Sequence, residues 1–216
     1  MLSPFTVLSV LWVAWVLSWL VLSGWASKAV TRQSTGSRIT QSLPIWIGAF
    51  LLFRAPVPAL AMPLFPSESW IPWVAVVLAA LGFALTWWAR VHLGKLWSAA
   101  VTLKEDHSVV GSGPYAHVRH PIYTGILVGL LATAIARNTL SGLLGVGFVL
   151  LGFVLKLRQE EEFLTTRFGA EYLDYKKHVP ALIPGRGRRV RGVPHLHSAQ
   201  RTSCTALFGR RLRAPR

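Results

Sequence analysis

The stretch "IYTGILVGLLATAIARNTLSGLLGVGFVLLGFVLKL", residues 122–157, contains two apolar runs separated only by Arg-Asn-Thr. An α-helix needs roughly 20 mostly apolar residues to cross a hydrocarbon core about 30 Å thick, so 122–136 and 140–157 predict two membrane-spanning helices. So short a connection permits only a tight turn between antiparallel helices. Small residues let helix backbones approach closely in a bilayer. The stretch therefore predicts a packed helical hairpin, with close approach at Gly125, Gly129, Ser141, Gly142, Gly145 and Gly152.

Composition extends the membrane assignment to the rest of the chain. Hydrophobic residues make up 52% of the 216 residues and charged residues only 14%, against about 25% charged in average soluble domains. Three further apolar runs, at 5–26, 43–65 and 70–89, predict three more spans. We interpret the first as a retained anchor rather than a signal peptide, because nothing basic precedes it and it is too long. The sequence predicts an all-α membrane protein of about five transmembrane helices, with no Rossmann domain.

The second of these runs is interrupted by Arg54, Pro56 and Pro58. A charged side chain inside lipid costs at least a few kcal/mol, and proline breaks or kinks a helix. The run therefore either kinks within the membrane or ends near Phe53 and continues as an interfacial loop. We favour a structural role for Arg54, with its charge reaching the membrane surface, over a functional role.

Lysine and arginine are distributed unevenly among the loops. Cytoplasmic loops of membrane proteins carry an excess of basic residues. The connection after the second predicted span has only Glu68, whereas basic residues follow the first, third and fifth spans: Lys28, Arg32, Arg38, Arg90, Lys95, Lys104, Lys156 and Arg158. This pattern predicts an N-terminus outside, a C-terminus in the cytoplasm, and a hairpin whose polar ends face the cytoplasm.

The C-terminal part of the chain differs from the rest in charge. We divide the sequence into spans one to three at 1–92, a core at 93–184 and a basic tail at 185–216. The tail has nine arginines and no acid, and without them the formal net charge falls from +15 to +6. Its low apolar content predicts disorder. Tethered to a membrane, it is expected to bind anionic lipid headgroups, at about 1 kcal/mol per basic residue, rather than nucleic acid. The only cysteine, Cys204, excludes an intrachain disulfide.

Polar residues gather where the two arms of the hairpin meet the cytoplasm. Pro121 can occupy the first turn of the fourth span, where its missing N–H is not needed, with His120 near the cap. His120 and Tyr123 are three residues apart and share a helix face, as do Lys156 and Glu160, which are four apart. Charged groups so close to a bilayer serve pairing or ligands. Each also has a plainer reading, because Lys156 and Glu160 can form an ordinary helix pair and Tyr115 and Tyr123 can be interfacial aromatics.

Two other ligand classes are not favoured by the spacing of these residues. The histidines show no pattern typical of a zinc site, so we predict no metal; they stand at 92, 107, 117 and 120. The letters "GSGPYA", residues 111–116, match the dinucleotide fingerprint G-x-G-x-x-A. That fingerprint has meaning only between a strand and a helix, whereas here it precedes a membrane segment. The sequence therefore excludes a soluble nucleotide-binding fold.

From Trp88 onward, about half of the chain resembles the superfamily of isoprenylcysteine carboxyl methyltransferases and phospholipid methyltransferases, which are integral membrane enzymes. The residues that carry the resemblance are "LGKLWS" at 93–98, "KEDHSVVGSGPYAHVRHPIYTG" at 104–125 and "EEEFLTTRFGAEYLDYKKHVPALIP" at 160–184. The resemblance implies use of S-adenosylmethionine, bound by the cytoplasmic ends of the hairpin and the segment after it. The implied cofactor contacts are His107, Ser108, Val109, Val110, Tyr115, His120, Pro121, Ile122, Tyr123 and Glu160.

The resemblance also implies methyl transfer to a lipid-like acceptor that enters between helices, with a carboxylate as the favoured acceptor. Lys156 stands where the family has a substrate-contacting arginine; it keeps the charge but lacks the bidentate fork. Arg158 could substitute if the helix is turned. An amine acceptor must first lose a proton, which makes His120 or Glu161 a candidate general base. Two alternatives remain: a phospholipid N-methyltransferase, and a non-catalytic membrane protein that binds lipid or cofactor.

Overall fold

The computed structural model describes residues 2–22, 35–54, 58–94 and 109–185. Within these ranges the chain is helical and contains no β-strand. Short 3-10 turns lie at Pro58–Leu60 and Gly113–Ala116. The α-helices are α1 (Pro4–Leu22), α2 (Thr35–Phe53), α3 (Ile71–Leu93), α4 (Pro121–Arg137), α5 (Leu140–Phe168) and α6 (Ala170–His178). The prediction of an all-α protein is therefore confirmed for the described residues.

Three helices are long and apolar enough to cross a membrane by themselves. They are Pro4–Val21, Ile71–Leu93 and Leu140–Phe168, while Ile39–Phe53 and Pro121–Arg137 are shorter apolar helices. Large apolar side chains such as Trp46, Trp73 and Leu81 lie exposed on the outer surface, as expected where lipid rather than water surrounds the protein. The chain is thus a multi-pass integral membrane protein. The count of five spans stays a prediction.

The second predicted span, residues 43–65, was wrong in its bounds. The helix begins at Thr35, includes Pro44 and ends at Phe53. Residues 58–70 form a short 3-10 turn and irregular chain, most of it exposed. The helix ends just before Arg-Ala-Pro-Val-Pro, whose prolines lack the N–H that a helix interior requires. The alternative of an end near Phe53 is confirmed, and the Arg54 side chain is exposed.

The small residues bring helices together, but not the pair expected from the sequence. A Cβ added to Gly82 of α3 would lie 2.6 Å from the carbonyl oxygen of Gly125 in α4. One added to Gly145 of α5 would lie 2.7 Å from the carbonyl oxygen of Gly48 in α2. Among the glycines of α5, all of which the structure describes, only Gly142 at the turn would contact α4. The close partners are therefore α3 with α4 and α2 with α5, because spacing defines the faces of a helix without telling which neighbour each face meets.

Helix α1 is joined to the other helices by two tryptophans. The indole N–H of Trp12 donates to the hydroxyl of Thr133 in α4 at 2.9 Å, and that of Trp15 donates to Thr86 in α3 at 2.7 Å. The ring of Phe83 packs edge-on against Trp12 and stacks on Trp15. Indole rings suit such positions because they bury a large apolar area and still have one donor to satisfy. The contacts hold α1 against the α3–α4 pair.

The turn between α4 and α5 is built around Asn138. Its backbone is left-handed, with φ 46° and ψ 48°, a conformation that asparagine tolerates better than most residues. Its side-chain oxygen accepts hydrogen bonds from the amides of Leu64 and Phe65 at 3.0 and 3.2 Å, and its amide donates to the Phe65 carbonyl at 2.7 Å. Thr139 then caps α5 by accepting from the amide of Gly142. Asn138 therefore joins the turn to the segment before α3.

Replacement of Asn138 by alanine is expected to lower the free energy of unfolding by about 2.5–6.5 kcal/mol. Three hydrogen bonds are lost at about 0.5–1.5 kcal/mol each, and alanine disfavours the left-handed backbone by roughly 1–2 kcal/mol. Asn138→Gly loses the same bonds without the backbone penalty and should be more stable than Asn138→Ala. Unfolding in mixed micelles measures both. Equal losses for the two variants would show that the backbone conformation contributes nothing.

Candidate active site

Two prolines set the backbone at the end of the hairpin that carries the polar residues. Pro121 begins α4, where its missing N–H would have had no helical partner. His120 precedes it at the N-cap, with its side chain free of any capping bond to α4. Pro114 lies in the 3-10 turn that brings Tyr115 into the protein interior. The chain therefore enters α4 with His120 and Tyr115 both buried.

Tyr123 of α4 contacts polar groups of α5 at this end. Its hydroxyl donates to Glu160 Oε2 at 3.2 Å. Lys156 Nζ lies 5.5 Å from the centre of the Tyr123 ring, on its face, within the range of a cation–π contact. The ring centres of Tyr123 and His120 are 5.9 Å apart, and Phe153 packs on Tyr123 at 4.9 Å. The residues that sequence spacing placed on common faces of two separate helices thus meet between those helices.

Tyr115 lies beside this group and is held from three sides. Its hydroxyl donates to the carbonyl of Ala89 at 3.4 Å, and its own carbonyl accepts from the Tyr175 hydroxyl at 2.6 Å. The ring of His92 stacks on it at 6.3 Å. Burial, and to a smaller extent the charge of Glu160, raise the pKa of Tyr115 well above its usual range. Its hydroxyl therefore remains protonated and can only act as a neutral donor or acceptor.

Glu161, the neighbour of Glu160, has quite different contacts. Its Oε1 accepts from Arg119 Nε and Nη2 at 2.9 and 2.5 Å and lies 3.3 Å from His120 Nε2. Its Oε2 lies 2.7 Å from Lys176 Nζ. We call these four side chains the Glu161 cluster. Glu161 thus joins the start of α4 to α6, whereas Glu160 faces Tyr123.

The backbone after α6 returns to the same place. The amides of Arg119 and His120 donate to the carbonyls of Pro180 and Ala181 at 2.8 and 3.0 Å. The Thr124 hydroxyl donates to the carbonyl of Leu182 at 2.7 Å. Residues 179–182, which we call the C-terminal segment, therefore lie along the beginning of α4. Helices α4, α5 and α6 and this segment therefore meet around the start of α4.

Residues 73–166 match the model of the isoprenylcysteine carboxyl methyltransferase (ICMT) family. Over this stretch, which is less than half of the chain, the protein is similar to that family. It is 35% identical over 113 residues to the protein-S-isoprenylcysteine O-methyltransferase of Schizosaccharomyces pombe, which covers 51% of this chain and 48% of that protein. It is 31% identical over 119 residues to the mouse (Mus musculus) enzyme of the same name, covering 54% and 42%.

A similar protein with a different name is the cobalt-zinc-cadmium resistance protein CzcN of Cupriavidus metallidurans. The identity is 33% over 129 residues, which is 58% of this chain and 58% of that protein. This chain spans about half the length of the curated relatives that it matches. The stretch shared with ICMT proteins includes α3, α4 and most of α5. It therefore contains Tyr115, Tyr123 and Glu160.

The ICMT resemblance assigned further residues to the site, and these residues differ in position and burial. His107 and Ser108 lie outside the described residues, and Val109 and Val110 are half-buried at the start of the described stretch. Pro121 is fully buried and Ile122 half-buried at the start of α4. Arg158 is exposed on α5, whereas Lys156 lies over Tyr123. Across 2–22, 35–54, 58–94 and 109–185 no three His, Cys, Asp or Glu side chains come together as a metal site would require.

Sequence reasoning missed three residues at the site. Arg119 and Lys176 belong to the Glu161 cluster, and both stand inside the motifs that resemble the ICMT family. Tyr172 of α6 is 2% exposed, and its hydroxyl has no hydrogen-bond partner within the described chain. Burial, reinforced by the charge of Glu161, raises its pKa. A buried hydroxyl without a partner costs about 1–3 kcal/mol, which marks a place where polar contacts are incomplete.

Proposed function

We propose that the chain is a membrane methyltransferase that transfers a methyl group from S-adenosylmethionine to a carboxylate of a lipid-like acceptor. The observation that carries the proposal is the meeting of Tyr123, Glu160 and Lys156 between two apolar helices, with Tyr115 and His120 beside them. The match of residues 73–166 to the ICMT family model and the names of the relatives support the same activity. A water-soluble donor and an acceptor from the bilayer can meet only where the membrane borders on water.

The side chains present fit S-adenosylmethionine. When bound, this molecule supplies a methyl group on a sulfonium, which is an activated leaving group. The Tyr123 face already carries the cationic Lys156 Nζ at 5.5 Å, so aromatic rings here can hold a cation, at about 0.5–2 kcal/mol. Glu160 accepts a hydrogen bond from the Tyr123 hydroxyl, and we assign its negative charge to an amino or hydroxyl group of the cofactor. Tyr115 and His120 complete the polar lining.

The protein's task in such a reaction is to align the acceptor. Reacting atoms must be held about 3–3.5 Å apart, which can contribute several kcal/mol or more. A carboxylate is ionised at pH 7, so it needs no general base. Lys156 of α5 lies over the ring of Tyr123 and can orient the carboxylate by a charge-assisted hydrogen bond. We assign this role to Lys156 rather than to Arg158, which is exposed.

An amine acceptor would require a base, and the contacts of Glu161 do not favour that reaction. A carboxylate paired with Arg119, Lys176 and His120 is stabilised in its charged form and holds a proton poorly. His120 Nε2 is itself engaged with Glu161 at 3.3 Å. The ester-forming reaction therefore fits these residues better than N-methylation.

We also infer the arrangement of the protein in the membrane. The charge pattern of the loops supports five spans with the N-terminus outside and the site at the cytoplasmic surface. The arginines beyond residue 185 would then reach the anionic headgroups of the inner leaflet. Cysteine labelling from either side of sealed vesicles, at Ser67 and at Lys177, tests this orientation. Labelling of both positions from one side would contradict it.

Methyl transfer with purified protein in lipid nanodiscs tests the activity. S-adenosylmethionine labelled in the methyl group is incubated with N-acetyl-farnesylcysteine or with extracted lipid. Label that alkali releases as methanol is a carboxyl methyl ester, as we expect. Label stable to alkali would indicate N-methylation. Binding of S-adenosylmethionine by calorimetry without any transfer would indicate a binding protein instead.

Lys156→Met is expected to lower kcat/KM for the carboxylate acceptor by about 10- to 100-fold, since one charge-assisted hydrogen bond is lost. The Kd for S-adenosylmethionine, measured by calorimetry, should stay within about threefold if Lys156 acts mainly on the acceptor. Lys156→Arg keeps the charge and should recover most of the activity. A larger loss in Arg158→Gln than in Lys156→Met would reassign the role to Arg158.

A further inference from the structure

Arg119 connects three parts of the chain that are far apart in sequence. Its Nε and Nη2 donate to Glu161 of α5. Its Nη1 donates to the carbonyl of Lys176 in α6 at 3.1 Å and also to that of Val179. The Arg119 side chain is only 8% exposed. Almost every donor of this guanidinium is therefore used to join α5, α6 and the C-terminal segment to the start of α4.

The element that Arg119 holds is not stable by itself. Helix α6 has nine residues, and isolated helices shorter than roughly 12–15 residues are marginal in water. Tyr172 of α6 and Val179, the residue after the helix, are each 2% exposed, so burial holds both ends of this element against the protein. The polar contacts of Arg119, together with the backbone bonds to Pro180 and Ala181, fix its position along α4. Loss of the Arg119 side chain removes its hydrogen bonds to Glu161, Lys176 and Val179, and so weakens the contacts that determine where α6 lies.

The position of α6 reaches the site through Tyr175. The Tyr175 hydroxyl donates to the carbonyl of Tyr115 at 2.6 Å, and burial raises the pKa of Tyr175, which keeps this donor protonated. The Tyr175 ring also lies against Gly111, where an added Cβ would meet it at 3.5 Å. The short turn that carries Tyr115 is thus supported by α6 from one side. Movement of α6 would remove this hydrogen bond to Tyr115.

We propose that Arg119 is a positioning residue that latches α6 and the C-terminal segment across the start of α4, and so fixes Tyr115 and His120 for cofactor binding. This role rests on the proposed function in one respect, which is that Tyr115 and His120 bind the cofactor. Its carboxylate partner is Glu161, which it shares with His120 and Lys176. Nothing in this role requires Arg119 to touch either substrate.

Arg119→Gln is expected to increase amide hydrogen exchange of residues 170–182 by about 10-fold or more, because the latched state becomes less populated. The KM and the calorimetric Kd for S-adenosylmethionine should rise by about 10-fold or more, while kcat changes by less than about threefold. A loss of folded protein alone would lower kcat and leave KM unchanged. Arg119→Lys keeps a charge for Glu161 but not the planar fork, and should give intermediate values.

The control is Arg167→Gln, which removes an exposed arginine of α5 outside the Glu161 cluster and should change neither exchange nor KM. Unchanged exchange of 170–182 in Arg119→Gln, or a fall in kcat with constant KM, overturns the latch. If Arg119→Gln does not fold, exchange and Kd in Arg119→Lys decide with the same criteria. If the wild-type protein transfers no methyl group, the proposed function fails, and exchange and cofactor Kd still judge the latch.

Discussion

Replacement of Glu160 by glutamine is expected to weaken binding of S-adenosylmethionine by roughly 10- to 150-fold, the equivalent of one charge-assisted hydrogen bond of about 1.5–3 kcal/mol. Glutamine has the same size and can still accept the hydrogen bond that Tyr123 donates to Glu160 at 3.2 Å. What it loses is the negative charge, which we assign to the amino or hydroxyl groups of the cofactor. Glu160→Gln should therefore fold normally and fail at binding.

The adjoining acidic residues supply the control for this experiment. Glu162 is exposed on the same helix, so Glu162→Gln removes an equal charge without reaching the site. Calorimetry gives the Kd and labelled methyl transfer gives KM, and the two should rise together for Glu160→Gln. Equal affinities in Glu160→Gln and Glu162→Gln would show that the charge acts only through the general field of the helix. The proposed cofactor site would then be misplaced.

The helices of the site could be predicted well because the signals that define them lie within short stretches of sequence. The apolar runs on either side of Arg-Asn-Thr predicted α4 and the start of α5, and proline marked the start of α4, but α5 continues beyond the predicted end at residue 157 to Phe168. Helix α2 was harder because its first turns contain Thr, Ser, Arg and Gln, which hydropathy does not recognise as part of a span. Residues 43–65 were selected instead for their apolar content. Apolar content therefore does not report where a helix begins and ends when its first turns are polar.

Contacts between helices could not be predicted from the sequence. Three- and four-residue spacing placed His120 with Tyr123 and Lys156 with Glu160, and the structure brings both pairs to one place. No spacing predicts that Arg119 pairs with a glutamate 42 positions away. Glu160 and Glu161 are adjacent in sequence, yet one faces Tyr123 and the other the Glu161 cluster. Successive helix residues point about 100° apart, so only the neighbours of α5 distinguish them.

The second large effect is expected from substitution of Gly125, which lies where α3 and α4 cross. A Cβ added to Gly125 would lie 2.6 Å from the Thr86 methyl carbon and even closer to the carbonyl oxygen of Gly82. Real Cβ atoms essentially never approach other atoms below 3.0 Å, and a backbone oxygen cannot rotate away. Gly125→Ala must therefore separate the two helices. Overpacking of this kind costs about 1–3 kcal/mol, occasionally more, and we expect Gly125→Ala at the upper end.

The same separation should lower the rate of methyl transfer by roughly 100-fold. Gly125 follows Tyr123 by two residues, so moving α4 away from α3 also moves Tyr123 relative to Glu160 and Lys156 of α5. A displacement of about 1 Å in such a site can cost roughly 100-fold in rate. Thermal unfolding in detergent and labelled methyl transfer should both be affected in Gly125→Ala.

Gly147 provides the matched control for Gly125, since a Cβ added there meets nothing within 4 Å. Gly147→Ala changes the same atoms on an open face of α5 and should leave stability and activity as they are. Stability of Gly125→Ala equal to that of Gly147→Ala would mean that α3 and α4 separate without cost. The glycine crossing would then not set the distance between the helices. If stability falls but activity survives, Tyr123 keeps its place by contacts with α5 alone, and the α3–α4 pair supports the fold without positioning the site.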